Sequence, residues 1–297
     1  MGGSEVGSAP PRDPRWKLDR PITPHTELCG VVLHPAGHTR SPAMHNAAFA
    51  ALGLDAVYLA FDVPPADLAA ALDGALALGV RQLAISIPHK VAALACVHDV
   101  DETARQIGAI NTATLCHGRW LGSNTDWLGA VRALERETRL DGQRAVVLGA
   151  GGTARAVVFG LRERGAHVVV LNRTASRAEA LARELGAGEA GPLDRLGGLA
   201  YGVLVNTTSV GLRSEASPVD PAWLRPGAVV LDAVYGPAET RLLRDARERG
   251  ARPIGGKWML VHQAAEQLRL WSGCEPPLEV MAEAFDRASS NEGCQPS

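Results

Sequence analysis

The chain has 297 residues, a length that suits one large or two ordinary domains, and its 30 basic and 32 acidic residues leave a formal charge of −2. That balance, with only 4% aromatic residues, argues against nucleic acid or an anionic membrane surface as a partner. No apolar run reaches the length of a membrane span and no apolar secretory core stands at the N-terminus. Together with five dispersed cysteines, this predicts a cytoplasmic protein with reduced thiols. The nine histidines form no helical ligand pair, so no metal is expected.

Residues 1–25 are rich in Gly, Ser, Pro and charge without any period, which predicts a disordered leader. A buried strand follows over 28–33, broken by Pro35-Ala36-Gly37. His38-Thr39-Arg40-Ser41-Pro42 then opens a helix that carries His45, Asn46 and Phe49. Pro42 suits its first turn, and Ser41 suits its cap. The hydroxyls of Thr39 and Ser41 beside a helix N-terminus also suit a carboxylate. A strand over 57–61, a helix over 65–78 and a strand over 82–87 come next, and the last runs into Ser86-Ile87-Pro88-His89-Lys90. A lysine just past the carboxyl end of a strand stands where open α/β sheets place ligands, although a solvated surface lysine fits the same local pattern. Gly108-Ala109-Ile110-Asn111-Thr112 leads to a hairpin around His117-Gly118. Asn124-Thr125-Asp126 then precedes a helix, for which Asp126 is a candidate cap.

The stretch 145–173 is the most specific. An apolar strand over 145–148 ends in Gly149-Ala150-Gly151-Gly152-Thr153-Ala154, a helix runs to Gly165, and a second strand covers 167–171. Gly149, Gly151 and Ala154 take the three small-residue positions of the dinucleotide fingerprint: a tight turn, room for a pyrophosphate, and close helix–strand packing. The helix N-terminus turns free N–H groups and a positive dipole end toward that anion. Past the second strand an NAD site would place a carboxylate on the ribose. This chain has Asn172, Arg173 and Thr174, with Arg177 a turn later, a set that fits a 2′-phosphate and favours NADP over NAD.

Further strands over 202–205 and 228–231, a helix over 240–249, a crossing at Gly255-Gly256 and a helix over 259–271 complete the pattern. The fold class is α/β with two domains: an N-terminal substrate domain, a C-terminal Rossmann NADP-binding domain, and a last helix returning to the first. The expected boundaries are 26–126 plus 258–288 for the first and 127–257 for the second, with a loose tail over 289–297. The cleft between the domains is the expected site, closing by a hinge.

Ordered motifs from about residue 26 to 273 resemble the shikimate dehydrogenase family, including its quinate-using relatives. The family's His-Ser-x-Ser-Pro and His-Asn correspond to His38-Thr39-Arg40-Ser41-Pro42 and His45-Asn46, and its Thr-Val-Pro-x-Lys to Ser86-Ile87-Pro88-His89-Lys90. Gly-Ala-x-Asn-Thr is kept at 108–112, Asn-Thr-Asp at 124–126 and Asn-Arg-Thr at 172–174. Asn206-Thr207-Thr208-Ser209-Val210-Gly211, Asp232-Ala233-Val234-Tyr235 with Pro237 and Thr240, and Met259-Leu260-Val261-His262-Gln263-Ala264 match its later signatures.

This resemblance implies an oxidoreductase that transfers a hydride between NADPH and 3-dehydroshikimate. Lys90 and Asp126 flank the reacting oxygen, with the lysine acting as acid/base or as electrostatic clamp. Thr39 and Ser41 take the carboxylate, Ser86, Asn111 and Gln263 read the hydroxyls, and Tyr235 lies near the junction of cofactor and substrate. Cofactor contacts are implied at Thr207, Thr208, Ser209, Val234 and Gly256. The partner is a small polyhydroxy cyclic acid, with monomer and homodimer both open. The chain departs from the family pattern at Thr39, Ser86 and Ala84, and at Leu33 and Trp258, where glycines are common; Trp258 stands where backbone is expected to approach the nicotinamide. These departures keep a quinate or amino-substituted substrate in view, with NAD open as its cofactor. An alternative of another class, a binding or regulatory homologue without catalysis, follows because fold alone does not settle function, and the retained Lys90 and Asp126 argue against it.

Overall fold

The computed structural model describes residues 21–37, 39–236 and 239–292. The leader over 1–20, His38, Pro237 and the tail over 293–297 lie outside the described residues. Residues 21–25, grouped with the leader by composition, form a turn. In it the Thr23 amide donates to Thr26 Oγ1 at 2.9 Å, and Thr26 Oγ1 donates to Asp55 at 2.8 Å.

The first unit contains β1 (Glu27–Leu33), α1 (Ser41–Leu52), β2 (Ala56–Asp62), α2 (Leu68–Ala77), β3 (Gln82–Ile85), β4 (Asp99–Val100), α3 (Glu102–Ile107), β5 (Thr112–Cys116) and β6 (Arg119–Ser123), and α4 (Asp126–Glu135) leads out of it. Its sheet runs β2-β1-β3-β5-β6-β4, parallel among β2, β1 and β3 and antiparallel through the β5–β6 hairpin. The expected helix over 65–78 is divided. Pro65–Asp67 form a 3₁₀ turn before α2, because Pro64 enters in an extended conformation. The strand expected to 87 stops at Ile85, because the chain turns there: the His89 amide donates to Ser86 O at 2.8 Å.

The second unit follows as β7 (Arg144–Leu148), α5 (Gly152–Glu163), β8 (His167–Leu171), α6 (Ala175–Leu185), β9 (Glu189–Gly191), β10 (Val203–Asn206), β11 (Val229–Asp232), α7 (Arg241–Glu248) and β12 (Arg252–Ile254). Its sheet is wholly parallel in the order β12-β11-β10-β7-β8-β9, the doubly wound arrangement with its switch point between β7 and β10. Both faces of this sheet are covered, which is why its strands read as unbroken Val/Leu runs. Ala145, Val147, Val168, Val170, Val203 and Val205 pack on one side, and Val146, Leu148, Val169, Leu171 and Leu204 on the other.

Two helices, α8 (Lys257–Ser272) and α9 (Leu278–Glu292), return to the first sheet. Val261, Ala264, Ala265 and Leu268 of α8, with Met281, Ala282 and Phe285 of α9, pack against α1 and strand residues Val31, Leu33 and Tyr58. The tail expected to be loose from 289 is helical through Glu292, since this buried apolar stripe carries the helix onward and Ser289 Oγ donates back to Phe285 O at 2.8 Å. Helix α4 joins the units. A Cβ at Gly129 would stand 2.5 Å from Met259 O of α8, and one at Gly160 of α5 would stand 2.9 Å from Val131 of α4. Bare glycine faces therefore let α4 lie between α8 and α5. Among the described residues no helix is long and apolar enough to cross a membrane.

Candidate active site

A cavity of about 520 Å³ opens between the carboxyl ends of the two sheets. On the cofactor side, Gly149 closes β7 at φ +113°, and a Cβ there would stand 2.6 Å from Thr207 Oγ1, so only glycine allows the loop to nest against the end of β10. Gly151 faces open space, and α5 begins without a side-chain cap, which leaves its first amides for an anion. Asn172, Arg173 and Thr174 leave the end of β8 beside this loop, where the Gly149 amide donates to Leu171 O at 2.8 Å. Arg173 and Arg177 are both exposed, and neither has an ion-pair partner among the described residues. The cradle therefore fits a dinucleotide that carries a ribose phosphate.

On the opposite side Lys90 is held by the turn after β3, with its carbonyl accepting from the Ile110 amide at 2.9 Å. Its ammonium donates to Asp126 Oδ2 at 2.6 Å, and the two side chains are 16% and 6% exposed. Asp126 is the first residue of α4, and its Oδ1 accepts from Asn111 Nδ2 at 2.9 Å. Asn111 is buried and engaged at both ends. Its nitrogen also meets Thr125 Oγ1 at 2.9 Å and Gln263 Oε1 at 3.1 Å, and its oxygen accepts from Thr112 Oγ1 and the Thr125 amide. Behind it Gln267 Nε2 donates to Asn111 O and Thr112 Oγ1. The lysine–carboxylate pair thus stands on a satisfied network linking β5, α4 and α8.

The structure brings Thr39, Ser41, Ser86, Lys90, Asn111, Asp126, Tyr235 and Gln263 to one cavity, joined from the cofactor side by Thr153, Thr207, Thr208, Ser209, Val234 and Gly256. Gly149, Ala150, Gly151, Gly152 and Ala154 stay in the loop and first turn of α5 behind that wall, and Asn172, Arg173, Thr174 and Arg177 lie beyond it. The capping roles assigned to Ser41 and Asp126 do not hold. Each is a first helical residue rather than a cap: the Ser41 amide donates to Thr39 Oγ1 at 3.3 Å, and the Asp126 amide donates to Asn124 Oδ1 at 3.0 Å. Both side chains are left to face the cavity. The turn before Tyr235 is held by Asp232, a buried carboxylate that accepts from Asn206, Thr240 and the Val234 amide and whose pKa burial pushes up, while the Tyr235 ring packs on Phe285.

Gln267, His34 and Arg213 also line the cavity and were not singled out from sequence. Met259, Gln263 and Gln267 recur at four-residue steps on one face of α8, a signal that would have found Gln267.

Three family models cover most of the chain: a shikimate dehydrogenase substrate binding domain over 31–113, shikimate / quinate 5-dehydrogenase over 132–210, and a shikimate 5'-dehydrogenase C-terminal domain over 256–284. A shikimate dehydrogenase (NADP(+)) of Thermococcus kodakarensis is 47% identical over 258 residues, covering 86% of this chain and 94% of its own. One of Moorella thermoacetica is 48% identical over 270 residues, covering 86% and 91%. The chain belongs to the shikimate dehydrogenase family. The crystal structure of shikimate 5-dehydrogenase from Thermus thermophilus in complex with NADP(H) and shikimate superposes with a TM-score of 0.82 at 41% identity, covering 88% of this chain and 99% of that one.

Within this family fold the departures have definite places. Thr39, Ser86, Ala84 and Leu33 line the cavity. Trp258 does not. Its indole packs between core clusters with the Arg136 guanidinium 4.0 Å from the ring, because α8 starts at Lys257 and turns residue 258 toward α4. The close backbone approach is at Gly256, where a Cβ would stand 2.9 Å from Ala233 O. Trp258 is therefore a packing residue at the α4–α8 junction.

Proposed function

We propose that this protein interconverts 3-dehydroshikimate and shikimate as an NADP-dependent oxidoreductase. The observation that carries the reading is the Lys90–Asp126 pair, 2.6 Å apart in the cavity and facing the glycine loop. Bound at that loop, NADPH supplies the hydride. Every other part of the reaction falls to the chain's own groups. As the carbonyl carbon is reduced, negative charge grows on its oxygen, and that oxygen must gain a proton. Lys90 turns its N–H donors toward it, stabilising the charge and keeping a proton within reach. Asp126 fixes the ammonium and leaves room beside it for a ring hydroxyl, while Asn111 holds Asp126. Thr39 and Ser41 receive the carboxylate, and Ser86, Gln263 and Tyr235 complete a polar wall that would discriminate against rings lacking a hydroxyl. Arg173 and Arg177, exposed and without ion-pair partners among the described residues, suit the 2′-phosphate of NADP.

The test is steady-state kinetics by nicotinamide absorbance, offering shikimate or quinate with NADP or NAD. Shikimate with NADP is expected to give the highest kcat/KM. Lys90→Ala and Asp126→Asn are expected to lower kcat by about 10²–10³-fold with folding intact. Preference for quinate, or full activity in both variants, would overturn the reading.

A further inference from the structure

Thr153 belongs to the cofactor loop by sequence, yet its side chain points across the cleft. Its Oγ1 accepts a hydrogen bond from Lys90 Nζ at 3.2 Å, the one contact of that ammonium besides Asp126 among the described residues. The approach depends on Gly152, where a Cβ would stand 2.8 Å from Lys90 Cβ. Two consecutive residues thus bring α5 onto the lysine, one by lacking a side chain and one by offering an oxygen.

We infer that Thr153 is a positioning residue for Lys90, holding its ammonium from the cofactor side while Asp126 holds it from the substrate side. The inference rests on the proposed reaction. An ammonium has three N–H donors on a flexible four-carbon stem. One acceptor leaves it free to swivel, whereas two acceptors on different elements fix its direction and aim the third donor into the cavity. The Thr153 hydroxyl accepts from the lysine, and its own hydrogen has no acceptor among the described residues. The hydroxyl belongs to the first turn of α5, where free amides await an anion. A single hydroxyl therefore connects an anion at the loop to the orientation of the lysine.

The experiment compares wild type with Thr153→Val, which keeps the shape and removes the hydroxyl, and Thr153→Ser, which keeps the hydroxyl. Kinetics with shikimate and NADP are paired with trace acetylation mapped by mass spectrometry. The chain has only three lysines, Lys17, Lys90 and Lys257, so Lys90 is read against Lys257, which is paired with Asp286. Thr153→Val is expected to lower kcat about tenfold, the kinetic size of one charge-assisted hydrogen bond, with both KM values within about twofold. It is also expected to speed acetylation of Lys90 relative to Lys257, and Thr153→Ser is expected to restore both. Unchanged kcat and unchanged labelling in the valine variant would overturn the inference. So would a loss confined to the KM for NADP, or a serine variant as impaired as the valine one. If wild type does not turn over shikimate, the proposed function fails, and the labelling of Lys90 alone decides the role of Thr153.

Discussion

At Asn111 the amide nitrogen faces three acceptors, Thr125 Oγ1, Asp126 Oδ1 and Gln263 Oε1, with only two hydrogens to share among them. Such a residue holds its neighbours in place more than it greets a substrate. Asn111→Ala would leave Asp126 Oδ1 and the Thr125 amide without donor and acceptor in a buried site, at about 1–3 kcal/mol for each group. Denaturant unfolding should show that loss, and kcat should fall with it as Asp126 loosens. Unchanged stability and kcat would refute the positioning role. Ser41 and Asp126 teach the same lesson from the other side. Residue type and a following helix are the signature of a cap, but here neighbouring Thr39 and Asn124 accept the first-turn amides, which leaves both side chains for the cavity. Local sequence could not make that choice, because it turns on which of several adjacent oxygens the backbone presents.

Among the elements, α1 and α8 each bury a histidine whose charge the fold resists. His45 is stacked on Tyr58 with ring centroids 4.1 Å apart, and burial pushes its pKa down to about 3. His262 is pushed down to about 4, first by burial and then by the nearby charges of Arg132 and Arg136. Both folded values lie below the ordinary 6.5, so between them the unfolded chain binds more protons than the folded one. The stability that these residues allow is fully present above about pH 6.5 and is lost as pH falls toward 4 and then 3. The melting temperature should accordingly drop on acidification through this window, and His45→Asn and His262→Asn should each flatten its dependence on pH. A slope unchanged in both variants would exclude these histidines as its source. Helix α9 shows what periodicity misses when polar residues dominate. Its buried Met281, Ala282 and Phe285 make a stripe only once α1 and α8 are there to receive it.

For the whole molecule, cofactor choice and catalysis are divided between sheets. Arg173 and Arg177 stand at the end of β8 and on α6, outside the cavity that holds Lys90. Replacing both with alanine should raise the KM for NADP about 10–100-fold, at one lost guanidinium–phosphate contact or more, while the KM for NAD stays within about threefold. Steady-state kinetics with the two cofactors checks this, and equal losses for both would mean that the arginines do not read the phosphate.

The roles of Ser86, Asn111, Tyr235 and Gln263 were expected only from the family resemblance, whereas the doubly wound unit, its glycine loop and the succession of its longer strands were legible in the residues themselves. Those features rest on local rules: apolar runs that must be buried on both faces, and small residues where backbone has to turn or pack closely. The returning helix was legible too, from Gly255-Gly256 and the apolar run beyond them. Short β4, β9 and β12 were not, since two or three residues carry no period and pair only because a longer neighbour offers an edge. The packing of Trp258 away from the cavity, the engagement of Asn111 by α4 and α8, and the reach of Thr153 to Lys90 came from the packed fold and not from any local pattern. Each depends on the relative placement of α4, α5 and α8, and that placement is set by contacts between residues far apart in the chain.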